Sequence, residues 1–241
     1  IRNHHNILSV SDRDIIHNNK NIRDIKGYKS LQLKVIETYN NFKPDFVVLG
    51  HADRIERSTL EKFKDIIKDL KISQWFLDPL NKNGPDYFRN KQRILDKINV
   101  VDASFLTTSP SVLNFLPKND NNYFIPNPCD RSFEILNNYL KPCSVDVFFA
   151  LSHGVHRGVL KAGKTDDRVK FVNQLMKKTP NIKFDLYGLN NIQPIWADHF
   201  FKTISNAKMG LNLSRGEANK FYSSDRITQI IGNGLVCLID E

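Results

Sequence analysis

Residues 152–167 read SHGVHRGVLKAGKTDD and place His153, His156, Arg157, Lys161 and Lys164 among three glycines, with Arg168 directly after. Cations on a glycine-containing loop that runs into a helix can hold a phosphate or diphosphate, because backbone N–H groups and the helix dipole add to the side-chain charge. A solvated surface loop is the plain alternative. The segment is not a P-loop, whose Gly-Lys-Ser/Thr belongs to a turn directly following a strand. A second group closes the chain in FYSSDRITQIIGNGLVCLIDE. Ser223, Ser224 and Asp225 can cap a helix, Arg226 falls on its first turn, and Gln229 shares the face of Arg226 one helical step on. Gly232 and Gly234 permit close packing and a turn into an apolar strand.

These residues need a scaffold, and the pattern of the chain supplies one. Apolar runs alternate with amphipathic stretches from end to end, the mark of parallel sheets covered by helices. Strands are expected at Ile7–Val10, Asp45–Leu49, Ile72–Leu77 and Val100–Leu106. Helices are expected at Ser30–Asn41, from Ser58-Thr59 as cap to Leu70, at Phe88–Lys97, and from Ser109-Pro110. The rhythm pauses at IPNPCD, residues 125–130, where two prolines enforce an extended course. It restarts with strands at Val145–Leu151, Ile182–Tyr187, Lys208–Leu213 and Leu235–Ile239, the last read as buried, and with helices at Asp167–Lys178 and Trp196–Asn206 before the closing one. The expected architecture is α/β with two Rossmann-like domains. The first covers residues 1–128, a linker 129–144, and the second 145–241, with both termini of the chain incomplete.

In open α/β sheets ligands gather beyond the carboxyl ends of the strands. This rule adds the loops holding Gly188, and Ser214 with Glu217, Tyr222 and Ser224, to the cations of the first loop and to Arg226 and Gln229. Composition is compatible with a small anionic ligand. The 241 residues carry a formal charge of +9 with 40% hydrophobic and 25% charged residues, so nucleic acid, an acidic membrane surface and a phosphorylated small molecule are the anionic partners to weigh. RNP-like aromatics, zinc ligands and a recognition helix are not evident, which disfavours nucleic acid. No run of 18 apolar residues occurs, and no signal peptide is read at the start; a cytoplasmic protein is expected, with peripheral contact to an anionic membrane face as a further expectation. Cys129, Cys143 and Cys237 lack metal-ligand spacing and are read as reduced thiols.

The stretch SRGEANKFYSSDRITQIIGNGLVCLID resembles the carboxyl-terminal signature of GT-B glycosyltransferases, particularly the group similar to the spore-maturation protein CgeB. That signature has an arginine, an acidic residue three later, a small residue, then glycine and an apolar strand. KPDFVVLG, SQWFLDPL and YFIPNPCD resemble the same group's amino-terminal domain and crossover. The resemblance implies transfer of a sugar from a nucleotide-diphosphate donor to a glycan or lipid-linked acceptor, in cell-surface polysaccharide biosynthesis, without metal or other cofactor. Together with the strand-end rule, this places the donor on His153, Arg157, Lys161, Lys164, Arg168, Gly188, Ser214, Glu217, Tyr222, Ser224, Arg226 and Gln229. Gln229 departs from the usual glutamate: an amide keeps a ribose hydrogen bond without the charge.

The acceptor is then expected on the first domain. His51 and Asp53 follow the strand that ends near Gly50, Asp78 ends the next, and a histidine titrating near neutral pH suits a general base. Asp12-Arg13-Asp14 matches a metal-binding Asp-x-Asp, a pattern common by chance in so charged a chain. Two other readings stay open: a catalytically inactive relative that binds a nucleotide sugar or glycan, and a basic nucleic-acid binder.

Overall fold

The computed structural model describes residues 5–84, 86–118, 121–152, 155–156, 159–160, 167–214, 216, 218 and 221–240. Two compact units divide the chain: residues 1–76 with 88–125, and residues 77–87 with 126–241.

The first unit is built on four parallel strands in the order β1-β2-β3-β4, namely β1 Phe46–Gly50, β2 Lys71–Phe76, β3 Ala103–Leu106 and β4 Asn122–Phe124. Helices α1 Asp12–Asn18, α2 Tyr28–Phe42, α3 Arg57–Ile66 and α4 Tyr87–Leu95 belong to the same unit, α4 from Phe88 on. Leu31, Val35 and Tyr39 of α2 bury against Leu60 and Phe63 of α3 and against Leu49 and Ile72 of the sheet. Their spacing of three or four on each helix produces one apolar face. Tyr39 stacks on Phe63 with ring centroids 4.1 Å apart and donates its hydroxyl to Phe63 O at 2.9 Å, so its polar end is satisfied inside the core.

Several expectations for this unit are corrected. Residues 7–10 form no strand; Ile7, Leu8 and Val10 are exposed and, with β1, line a groove of about 1110 Å³. Alternating apolar residues make a strand only where a neighbouring edge supplies hydrogen bonds, and here the groove lies along that edge. Ser58 and Thr59 do not cap α3: Glu56 is the N-cap, and Thr59 donates instead to Gln32 Oε1 at 2.8 Å. Ser109-Pro110 opens only the 3-10 turn Pro110–Val112.

The second unit has the sheet order β10-β9-β5-β8, again all parallel. Its strands are β5 Val145–Ala150, β8 Phe184–Tyr187, β9 Ala207–Asn212 and β10 Val236–Ile239, and a two-residue ribbon pairs β6 Val155–His156 with β7 Val159–Leu160. Helices α5 Asp167–Lys178, α6 Ala197–Ile204 and α7 Asp225–Gly232 cover both faces. Val147 and Phe149 of β5 pack with Val172 of α5, while Phe148 faces Ile204 of α6 and Ile230 of α7. Successive side chains of a strand thus feed two separate cores.

Residues 126–144 pack onto this unit. Asn138, buried, donates from Nδ2 to Ile204 O and Ala207 O, both at 2.8 Å, and its backbone N–H reaches Asn233 O at 3.0 Å. Asn127 donates to Ser223 O at 2.9 Å and accepts at its carbonyl from Thr228 Oγ1 at 3.1 Å. One expectation fails here: the closing strand is not buried. β10 is the edge strand, and Val236 and Ile239 are 59% and 62% exposed. Among the described residues, no helix is long and apolar enough to cross a membrane.

Candidate functional site

In the second unit the chain runs from β5 to β8 on one side and then returns across β5 to β9 on the other. The reversal lies between β5 and β9, where the loops leaving two adjacent strands diverge and open a crevice. Asn212 is the last residue of β9, and its amide oxygen accepts from Ser224 Oγ at 2.8 Å and from Arg226 Nη1 at 3.3 Å. The same guanidinium nitrogen donates to Leu213 O at 3.2 Å, and the guanidinium carbon lies 5.8 Å from the ring centre of Phe149 in β5. Arg226 therefore reaches from the first turn of α7 to both strands that flank the reversal.

Ser224 is the N-cap of α7. Its oxygen accepts from Ile227 N while its proton goes to Asn212, so one hydroxyl starts the helix and ties it to β9. Arg168, on the first turn of α5, is 8% exposed. Burial, followed by the like charge of Arg168, pulls the Arg226 pKa below its ordinary value. The carboxylates of Asp225 and Asp240 act in the opposite direction without cancelling the shift, and the Arg226 guanidinium stays protonated all the same.

The remaining expected residues fall in different places. Tyr222 donates to Leu77 O at 3.2 Å. Burial is the main cause that raises its pKa, with the carboxylates of Asp225 and Asp78 adding to it. Asp78 thus belongs with Tyr222 in the second unit rather than with His51 and Asp53 in the first. Ser214 is clasped by Asp240, through its N–H at 2.8 Å and its hydroxyl at 3.1 Å, which ties the exit of β9 to that of β10. Gly188 has φ +75°, and a Cβ there would overlap Leu151 O; its part is to let the exits of β8 and β5 cross. Gln229 lies one turn beyond Arg226 on α7, and its carbonyl accepts from Asn233 Nδ2 at 2.8 Å. His153, Arg157, Lys161, Lys164 and Glu217 lie outside the described residues.

In the first unit the structure brings His51 and Asp53 together through a residue the sequence did not single out. Arg93 of α4 donates to both oxygens of Asp53, at 2.8 and 2.7 Å, and its Nη2 meets His51 Nδ1. It also lies over the ring of Phe76, 5.1 Å from the centroid. Arginine can only donate, so Nδ1 of His51 is the acceptor and the proton of the neutral ring sits on Nε2. Arg93 and Asn212 were both hidden from sequence reading, since each acts through partners far away in the chain.

The second unit is thus a Rossmann-like parallel sheet with Arg226 at its reversal point and Arg168 on the first turn of α5. Residues 168–241 match the model of a family described as glycosyl transferase-like, in line with the resemblance of the closing stretch. No curated protein matches the chain. Similar solved structures include the UDP-GlcNAc 2-epimerase from Neisseria meningitidis bound to UDP-GlcNAc, 13% identical over 80% of this chain and 60% of that one, with a TM-score of 0.41. Another is the Methanocaldococcus jannaschii UDP-GlcNAc 2-epimerase in complex with UDP-GlcNAc and UDP, 13% identical over 89% and 65%, TM-score 0.42. A third is OtsA in its apo form, 10% identical over 91% and 64%, TM-score 0.49. The chain spans about three-fifths of the length of these structures.

Proposed function

We propose that this chain takes part in glycosyl transfer from a nucleotide-diphosphate sugar, with the second unit holding the donor. The observation that carries the reading is the pair Arg168, buried, and Arg226, half-buried, two like charges that act on one another near the reversal between β5 and β9. As the sugar departs it becomes oxocarbenium-like, and negative charge grows on the diphosphate. Cations fixed beforehand lower that barrier because nothing must reorganise when the charge appears. The hydrogen bonds from Arg226 to Asn212 and Leu213 supply this fixing. The amide of Gln229, on the same helix, is assigned to the ribose. The acceptor is assigned to the first unit, with His51 as the acceptor-side base once its contact with Arg93 opens; in the closed contact its ring offers only a donor. No metal is assigned a part.

Gln229 in place of the usual glutamate favours a second reading, in which the chain binds a nucleotide sugar without turning it over. Calorimetric titration with a panel of nucleoside diphosphates, with donor hydrolysis measured alongside, tests both. Binding with turnover supports the enzyme, binding without turnover supports the second reading, and binding of no nucleoside diphosphate refutes both.

A further inference from the structure

The first unit contains a depression of about 360 Å³ beside the carboxyl end of β1, lined by α1, the residues just after it and the turn that follows β1. Its walls include Arg13 and His17, one helical turn apart on α1, then Lys20, and across the sequence Asp53 and Arg54. Arg54 is held over the ring of Tyr28, 5.2 Å from its centroid, and Tyr28 lines the same depression. Asp12 is the other carboxylate of the wall. The negative charge of Asp53 is already met by the two-point grip of Arg93.

Lys97 adds a cation close by. It is 7% exposed, and the charges that act on it are Asp53, Asp96, Arg93 and Asp12, two of which line the depression. Among the described residues its ammonium makes no hydrogen bond or ion pair. Burial pulls its pKa below the ordinary lysine value, as expected of an ammonium that lacks a close counter-charge. Arg13, Lys20, Arg54, Arg93 and Lys97 together outnumber Asp12, Asp53 and Asp96 by two positive charges. A phosphomonoester carries about −1.5 to −2 at neutral pH. The volume is at the small end of ligand pockets, which run from about 300 to 1,000 Å³, enough for a monosaccharide phosphate and too little for an oligosaccharide chain.

We propose that this depression is a subsite for a phosphomonoester and that the acceptor is a phosphorylated sugar or polyol, its phosphate held by Arg13, Lys20 and Arg54. The acceptor role rests on the donor reading of the second unit; the phosphate subsite does not.

The test is calorimetric titration of the full chain with a hexose 6-phosphate, the matching neutral hexose and inorganic phosphate at low salt. The hexose phosphate should bind, the neutral hexose should not, and inorganic phosphate should bind more weakly. Arg13→Ala and Lys20→Ala, both at exposed positions that leave the core untouched, should each weaken the hexose phosphate about tenfold or more. Arg226→Ala should leave its affinity unchanged. Equal affinity for the hexose and its phosphate, no binding at all, or affinity indifferent to Arg13 and Lys20 overturns the subsite. Inorganic phosphate binding as tightly as the sugar phosphate overturns the acceptor class. A chain that binds nucleoside diphosphates but no sugar phosphate refutes this subsite alone, and the reverse refutes the donor reading, and the acceptor role with it, while the phosphate subsite stands.

Discussion

Arg226 donates to the amide oxygen of Asn212 at 3.3 Å, and that bond aims a helix-borne cation across the end of a neighbouring strand. Its hydrogen bonds go to a neutral amide and a carbonyl, while the carboxylates of Asp225 and Asp240 act on it without a hydrogen bond; a carboxylate in place of Asn212 would pair with it directly.

Arg226→Ala should therefore weaken nucleoside-diphosphate binding by about 1.5 to 3 kcal/mol, the range for a charge-assisted hydrogen bond. Arg226→Lys should recover only part of the loss, because the bonds to Asn212 and Leu213 both come from Nη1 and leave the other guanidinium N–H groups for a diphosphate, donors that a lysine lacks once its ammonium makes those two bonds. Calorimetric titration at two salt concentrations checks this, since screening weakens whatever part of the contact is exposed. Affinity of Arg226→Ala equal to that of the parent would reduce the arginine to a structural tie.

Gln229→Glu and Gln229→Ala should separate ribose contact from charge. The glutamate variant should bind nucleotide sugars at least as well as the parent, and the alanine variant about 0.5 to 1.5 kcal/mol less well, the net value of a neutral hydrogen bond. Donor hydrolysis measured on the same samples decides whether the amide also suppresses turnover. A glutamate variant that gains turnover identifies the parent as the silent binder.

His51→Ala should lower transfer while leaving nucleotide affinity intact, because the residue lies in the first unit. Arg93→Met is the informative companion. It releases Nδ1 of His51 and also leaves Asp53 without its two-point partner, so it should change the rate of transfer while leaving nucleotide affinity intact. Unchanged turnover in His51→Ala removes that side chain from the mechanism.

The alternation from Val145 onward was legible because each parallel strand is apolar on both faces and each helix carries one apolar stripe, so α5 was expected at the residues where it lies, Asp167–Lys178. The anchors of the site were not. Arg226 and Asn212 are 14 residues apart, Arg93 and Asp53 are 40 apart, and no local periodicity reports a hydrogen bond that only tertiary packing creates. β4 leaves no sequence signal for a related reason: Asn122–Phe124 is three residues long and largely exposed, so it exists as a strand only because the edge of β3 is there to receive it.

Acid should unfold the chain partly through Asp102. Burial of its carboxyl opposes ionisation, but the N–H of Ile72 at 2.8 Å, with Lys64 and Lys71, outweighs it and holds the pKa below the ordinary carboxylate value. A depressed folded-state pKa gives stability that is full above the unfolded value and lost as pH falls through the folded one. The loss should thus set in below about pH 4. Thermal melts against pH check it: Asp102→Asn should be less stable than the parent at neutral pH and should converge with it in acid.

Gly188→Ala should destabilise the second unit by about 1 to 3 kcal/mol, since the backbone sits at φ +75° and the added carbon would press on Leu151 O. A lowered melting temperature is the expected result. A melting temperature equal to the parent's would show that the crossing of the β8 and β5 exits yields at no cost.

The hydrogen bond from Tyr222 to Leu77 O joins residues 145 positions apart, and both belong to the second unit. That unit is consequently not a contiguous piece of gene. A polypeptide beginning at residue 126 would omit residues 77–87, and one ending at residue 125 would carry them as an orphan loop. Limited proteolysis at residues 125–126 should yield halves that stay associated, and separately expressed halves should regain the Tyr222 contact only on mixing, as complementing fragments do.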